Sequence, residues 1–160
     1  MVRALVLSAL VLLGIGGCGS SAGSSADPNG EFYMCATDAR AMPYQSGMSV
    51  MSSTGVFAVE LLSSSPGPPV KGQNTWIIRV DQVATGSMLD GLDVSVTPRM
   101  PDHPSHGTRP VVVTPSGRGT YTLEPVYLYM PGIWNVTMTI VGSMVGTGTT
   151  DTAVIPICIP

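Results

Sequence analysis

Short runs of alternating apolar and polar residues, separated by glycine and proline, are the feature that most constrains the fold of this chain. The alternation has a period of two, which is typical of a β-strand with one buried face. The chain contains 19 glycines and 14 prolines among 160 residues, so helix interiors would be interrupted often. The pattern therefore predicts an all-β fold.

About seven strands are predicted after residue 53. The residues that share one face of a strand, or form its apolar run, are Phe57, Val59 and Leu61; Trp76, Ile78 and Val80; Leu92, Val94 and Val96; Val111 to Val113; Tyr121, Leu123, Tyr127 and Tyr129; Trp134, Val136, Met138 and Ile140; and Ala153, Ile155, Ile157 and Ile159. Such short strands with turn signals between them favour an immunoglobulin-like antiparallel β-sandwich. Pro156 predicts that the last strand lies at a sheet edge.

The N-terminus has the order of residues found in a secretory signal. Arg3 precedes the apolar stretch Ala4 to Leu13, which is too short to span a bilayer. Ile15-Gly16-Gly17-Cys18 then resembles the lipobox of bacterial lipoproteins. The resemblance implies that residues 1–17 are removed and that Cys18 is lipidated, and an ordinary signal peptide is the alternative. We therefore expect a lipid-anchored protein of the bacterial cell envelope, facing the periplasm or the exterior.

The rest of the chain divides into three segments. Residues 18–30 are small and polar, and they predict a flexible tether of roughly 20 Å. Residues 31–52 contain several methionines with no clear period, which either fill gaps in a core or bind a soft metal ion. Residues 53–160 contain the predicted sandwich domain.

Charge and motif content limit the possible functions. The formal net charge is −3 and the only lysine is Lys71, so the chain lacks the basic footprint that nucleic acid requires. The sequence contains no nucleophile elbow, phosphate-binding loop, zinc-protease motif or dinucleotide fingerprint. We expect no enzyme and no nucleic acid partner. The expected partners are the membrane, through the lipid anchor, and another envelope protein.

Cys35 and Cys158 remain once Cys18 is consumed by lipidation. In an oxidising compartment, two such cysteines most simply form one disulfide. Thiolate ligation of a metal is the alternative, although neither cysteine belongs to a CxxC motif or lies near a histidine in sequence.

Both histidines lie in the segment Met100-Pro101-Asp102-His103-Pro104-Ser105-His106-Gly107. Imidazole and thioether together suit copper, and the softer thioether favours Cu(I). The prolines exclude a regular helix, so one metal ion collects Met100, His103 and His106 only if the loop bends. The alternative is a proline-stiffened surface loop whose polar residues cap turns.

Four motifs resemble the YtkA-like domain, which is related to the FixH family, over about residues 56–159. They are Gly72-Gln73-Asn74-Thr75-Trp76, Met100-Pro101 with His103 and His106, Gly119-Thr120-Tyr121, and Met130-Pro131-Gly132-Ile133-Trp134. The resemblance implies an immunoglobulin-like sandwich outside the membrane. It also implies an association with copper handling or with the assembly of copper-containing respiratory oxidases.

By this resemblance, the copper ligands would be Met100, His103, His106 and Met130. Family members often carry a denser His-Gly-His, where this chain has Pro104-Ser105 between its histidines. Copper is the only cofactor that the resemblance implies. Met130 alternatively packs into the end of the sandwich, and the protein alternatively acts as a non-catalytic structural or interaction module of the envelope with no metal.

Overall fold

The computed structural model describes residues 35–103, 109–144 and 147–160. In these ranges a 3₁₀ turn, Cys35–Thr37, precedes eight strands. The strands are β1 (Met48–Met51), β2 (Phe57–Ser65), β3 (Gly72–Gln82), β4 (Asp93–Arg99), β5 (Val112–Gly117), β6 (Thr120–Leu128), β7 (Gly132–Met144) and β8 (Thr147–Ile159). Every pair of neighbouring strands is antiparallel. The predicted all-β class is confirmed.

Two sheets enclose one apolar core. The larger sheet has the order β1-β2-β3-β6-β5, and the smaller has the order β4-β7-β8. Buried residues of both sheets form a single cluster, which includes Phe57, Val59, Leu61, Trp76, Ile78 and Val80 from the first and Val136, Met138, Ile140, Ala153, Ile155 and Ile157 from the second. These are the positions that the alternation predicted to face inward. The predicted immunoglobulin-like antiparallel sandwich is confirmed, and β8 lies at a sheet edge as Pro156 indicated.

The prediction that Tyr127 and Tyr129 share the inward face of Tyr121 is wrong. Tyr121 is buried, but the later inward residues of β6 are Val126 and Leu128, and the other two tyrosines are half-buried. The β3–β6 register shifts because one residue of β3, Thr75, faces two of β6, Glu124 and Pro125, at this point. An extra residue on one strand reverses the alternation. Proline, which cannot donate to the ladder, is tolerated at such an irregularity, and Pro125 occupies it.

The sandwich begins upstream of residue 53. Strand β1 lies within the methionine-containing segment and pairs with β2, where Met48 faces Leu61. Met48 is buried in the core, whereas Met51 is 62% exposed. These two methionines therefore take the positions of ordinary strand residues. The short β1 escaped prediction because its four residues contain no clear alternation of apolar and polar types.

One end of the sandwich is closed by a buried charge, and we call it the carboxylate end. Asp151 takes an inward-facing position of β8 and is 3% exposed. Its carboxylate accepts hydrogen bonds from Ser53 Oγ at 2.6 Å, Thr54 Oγ1 at 2.6 Å and the Thr152 amide at 2.8 Å. Burial alone would raise the pKa of Asp151, but hydrogen bonding to the side chains of Ser52, Ser53 and Thr54 and to the Thr152 amide outweighs it and holds the pKa well below its usual value. The contacts join β8 to the β1–β2 turn.

Candidate metal centre

The opposite end of the sandwich contains the methionines of the predicted site, and we call it the methionine end. In the β4–β7 ladder Arg99 faces Asn135, so continuation of the same register puts Met100 opposite Trp134. Both side chains are buried, with 3% of Met100 and 1% of Trp134 exposed. Both residues belong to the buried core cluster at the end of the sandwich where β4 ends.

Met130 lies in the connection between the two sheets and contacts the same tryptophan through its carbonyl. The segment 129–131 connects β6 of the larger sheet to β7 of the smaller. Trp134 Nε1 donates a hydrogen bond of 2.9 Å to the carbonyl of Met130, whose half-buried side chain packs against the core. Gly132 has a φ of 128°, which a residue with a Cβ rarely adopts. The Met-Pro-Gly-Ile-Trp motif therefore sets a turn that carries Met130 back to Trp134.

His103 follows Met100 by one turn. The His103 amide donates to the Met100 carbonyl at 3.3 Å, and the His103 residue is half-buried. Between them, Asp102 accepts two hydrogen bonds from the guanidinium of Arg40, at 2.9 and 3.3 Å. These hydrogen bonds hold the pKa of the Asp102 carboxyl below its usual value. The turn is thus connected to the N-terminal part of the described chain.

Three of the four predicted ligands, Met100, His103 and Met130, lie at the methionine end. The fourth, His106, lies outside the described residues, as does the predicted lipidation site Cys18. Among the described residues, no group of three or more histidine, cysteine, aspartate or glutamate side chains could hold a metal ion. None of the described helices is long and apolar enough to cross a membrane.

Cys35 and Cys158 form the disulfide predicted from the sequence, with their Cα atoms 5.5 Å apart. Cys158 faces Ile133 of β7, so this bond also lies at the methionine end. Oxidation of both cysteines leaves neither as a thiolate ligand, and the alternative of thiolate ligation is not realised in this structure.

Sequence reasoning missed the position of Met42. Its amide donates to the Pro156 carbonyl at 2.8 Å, and its residue forms a parallel bridge with Ile157. Ile157 faces Trp134, and Trp134 lies opposite Met100, so these residues lie side by side across neighbouring segments of the sheet. Met42 is three segments away from Met100. Strands are spaced about 4.8 Å apart, so Met42 is too distant to share a metal ion with Met100. The segment carries no periodicity that could have revealed this bridge.

An aromatic series leads from Trp134 to the surface. The ring centroids of Trp134 and Tyr129 are 6.4 Å apart, and those of Tyr129 and Tyr127 are 4.7 Å apart. The Arg109 guanidinium lies 4.4 Å from the Tyr127 ring centroid, within the range of a cation–π contact. The reversed alternation after Pro125 brings the two tyrosines together on this side, which is why the sequence pattern did not reveal the series.

A comparison with known protein families identifies the domain. A sequence model of the YtkA-like family matches residues 54–139, which is more than half of the chain and includes the four motifs described above. No curated protein and no solved structure shows a significant match to the chain. The matched range contains all of β2 to β6 and most of β7, together with Met100, His103, Met130 and Trp134. The chain therefore belongs to the YtkA-like family.

Proposed function

We propose that this protein is an envelope-anchored YtkA-like lipoprotein that binds copper at its methionine end. In this role it acts as an accessory in copper handling or in the assembly of a copper-containing respiratory oxidase, and it has no catalytic activity of its own. Cys18 carries the lipid anchor, and the acceptor of the metal is another protein of the cell envelope. The proposed ligands are Met100, His103, His106 and Met130.

The observation that supports this site is the convergence of two thioether-bearing segments on one indole. Met100 continues the β4–β7 register beside Trp134, and the carbonyl of Met130 accepts the hydrogen bond of that same indole at 2.9 Å. His103 lies one turn beyond Met100. The thioethers of two methionines and the imidazole of His103 thus belong to one end of the domain, where loops of a sandwich cluster.

The burial of Met100 favours Cu(I) over divalent ions. The cost of transferring an ion from water into a poorly polarisable interior rises with the square of its charge. A ligand that is 3% exposed is therefore better suited to a monovalent ion, and its thioether is a soft ligand that selects Cu(I). Zn²⁺ prefers thiolate, imidazole or carboxylate ligands, and both cysteines of the described chain are oxidised.

Anaerobic calorimetric titration with Cu(I) tests the site. We expect the mature protein to bind one Cu(I) and a His103→Ala/His106→Ala variant to bind it at least tenfold more weakly. Met130→Leu, which conserves volume and removes the sulfur, should also weaken binding, whereas Met88→Leu is the matched control because Met88 is 49% exposed and lies outside the site. Equal uptake by wild type and the histidine variant, or uptake by neither, would contradict the proposed site and favour the metal-free interaction module.

Fluorescence gives an independent readout of the same binding. In a Trp76→Phe variant, Trp134 is the remaining tryptophan of the chain, and a copper ion held by Met100 and Met130 would quench its emission. We expect quenching that saturates at one equivalent of Cu(I). Emission that stays constant while calorimetry reports binding would locate the metal elsewhere.

The lipid anchor requires a separate experiment. We expect a palmitate analogue to label the protein in bacteria, and a Cys18→Ser variant to be unlabelled. Label that persists on Cys18→Ser would contradict lipidation at this residue without bearing on copper.

A further inference from the structure

The segment between Cys35 and Met42 is attached to β8 at both of its ends. At one end Cys35 is bonded to Cys158, and at the other the Met42 amide donates to the Pro156 carbonyl at 2.8 Å. Arg40 lies between these two attachments. A covalent bond and a β-bridge thus fix the backbone of this segment on both sides of Arg40.

Arg40 joins this segment to the turn that carries two proposed ligands. Its Nη1 and Nη2 atoms donate to the two carboxylate oxygens of Asp102, in a bidentate geometry. Asp38 orients the guanidinium from the opposite side, because its carboxylate accepts from Arg40 Nη2 at 2.9 Å and from Arg40 Nε at 3.1 Å. Bidentate guanidinium–carboxylate pairs define orientation better than single contacts do. Asp102 itself lies in the turn closed by the hydrogen bond from the His103 amide to the Met100 carbonyl.

The disulfide borders a cavity. Both cysteines line a cavity of about 250 Å³ whose other walls are largely apolar, formed by Ala41, Met42, Pro43, Tyr44, Pro68 and Pro160. Cys158 is half-buried, whereas Cys35 is 5% exposed. Cys158 is therefore the more exposed residue of the pair.

We propose that Cys35, Cys158, Arg40 and Asp102 form a redox-sensitive latch, in which Arg40 is a positioning residue for the Met100–His103 turn. While the disulfide is intact, Arg40 restrains the turn through Asp102. When a dithiol reduces the disulfide, the segment loses its covalent attachment and the turn becomes free to open. Where the turn ligates copper, which rests on the proposed function, reduction lowers the affinity and promotes transfer of the metal.

The reduction is balanced by an ordinary thiol–disulfide exchange. A thiolate of the reductant attacks one sulfur and breaks the Cys35–Cys158 bond, which gives a mixed disulfide and one free cysteine thiolate. The second thiolate of the reductant then attacks the reductant's own sulfur in the mixed disulfide and displaces the other cysteine as a thiolate. Two electrons and two protons pass to the protein, which ends with two thiols. The reductant ends with one intramolecular disulfide.

Amide hydrogen exchange of the metal-free mature protein tests the latch without copper. We expect Arg40→Gln to accelerate exchange at the His103 amide about fivefold, as for an exposed but well-oriented ion pair, and to leave the Leu61 amide in β2 unchanged. Arg118→Gln is the matched control, since Arg118 is an exposed arginine in the β5–β6 turn. Arg40→Lys, which keeps the charge but not the bidentate geometry, should give an intermediate rate.

The coupling to the disulfide is tested by reduction with a dithiol. In the wild type we expect reduction to accelerate exchange at His103 about fivefold, and in Arg40→Gln to change it less than twofold, because the same restraint is already lost. Equal acceleration in both proteins, or no acceleration by Arg40→Gln, would overturn the latch. If reduction instead unfolds the whole domain, so that the Leu61 amide loses its protection together with the His103 amide, the turn is not released selectively and the latch is overturned.

A parallel Cu(I) titration separates this inference from the proposed function. Faster exchange together with an absence of copper binding supports the latch and contradicts the copper site. If copper binds, and Arg40→Gln changes neither the Cu(I) affinity nor the exchange rate of the His103 amide, the result supports the site and contradicts the latch. If both are correct, Arg40→Gln weakens Cu(I) binding by about the same fivefold factor.

Discussion

At the carboxylate end, hydrogen bonds to one buried charge join β8 to the β1–β2 turn. At the methionine end, a disulfide joins β8 to the segment before β1, and apolar residues pack around Trp134. The oxygens of Asp151 are occupied by Ser53, Thr54 and the Thr152 amide. The thioethers of Met100 and Met130 are only weak hydrogen-bond acceptors. The carboxylate end thus uses its oxygen atoms in hydrogen bonds that stabilise the fold, and the proposal that the methionine end binds a soft metal ion rests on this contrast.

Removal of the disulfide should have the largest effect on stability. The bond closes a loop with a sequence separation of 123 residues, for which the chain-entropy relation gives roughly 4 to 5 kcal/mol. We expect Cys35→Ser/Cys158→Ser to lower the free energy of unfolding by about 4 kcal/mol in urea denaturation without reductant. Unchanged stability of the double variant would show that the methionine end does not depend on its covalent bond.

Replacement of the buried carboxylate should be the next largest effect. Asp151→Asn puts an amide NH₂ group against hydroxyl and amide donors, so we expect a loss of about 3 kcal/mol in the free energy of unfolding. Asp93→Asn is the matched control, because Asp93 is an exposed aspartate of β4 in the same sheet. It should change stability by less than about 0.5 kcal/mol. A similar small change for both variants would contradict the role given to Asp151.

The carboxylate end should lose stability in acid through Asp151. The pKa of Asp151 is lower in the folded protein than its value of 3.8 when unperturbed. Its contribution to stability is therefore fully present above that unperturbed value and is lost as the pH falls through it towards the folded pKa. Urea denaturation at pH 7 and over the range from pH 4 to pH 2 should show the wild type progressively losing its advantage over Asp151→Asn as the pH falls below 3.8. A constant difference over this range would show that the carboxylate titrates alike in both states.

The two buried tryptophans offer a smaller but matched comparison. Trp134 Nε1 donates to the Met130 carbonyl, whereas Trp76 Nε1 is buried and meets no acceptor among the described residues. Both Trp→Phe changes remove similar volume, but only Trp134→Phe leaves a carbonyl without its donor. We expect Trp134→Phe to be more destabilising than Trp76→Phe by about 1 kcal/mol, measured by urea denaturation. Equal losses would mean that the Met130 hydrogen bond contributes little.

Local alternation predicts the sandwich because each strand carries its own pattern, as in Trp134, Val136 and Met138, which are all buried. The pattern failed at Tyr127, where one extra residue in β6 reverses the faces. The disulfide was predictable from compartment and cysteine number. The contact between Arg40 and Asp102 was not, because a pair of exposed charges 62 residues apart leaves no periodic signal. The family motifs singled out Met100 and Met130, but the relation of Met100 to Trp134 follows from the strand register and that of Met130 from the hydrogen bond between its carbonyl and the indole.

The most direct test of the account is to observe which methionine methyl groups respond to Cu(I). In ¹³C-methyl-methionine NMR of the mature protein, we predict that one equivalent of Cu(I) shifts the methyl resonances of Met100 and Met130. The methyl groups of Met51 and Met88, which are 62% and 49% exposed and lie outside the proposed site, should keep their positions. Shifts at Met51 or Met88 with none at Met100 and Met130, or no shift at any methionine, would contradict a copper site at the methionine end.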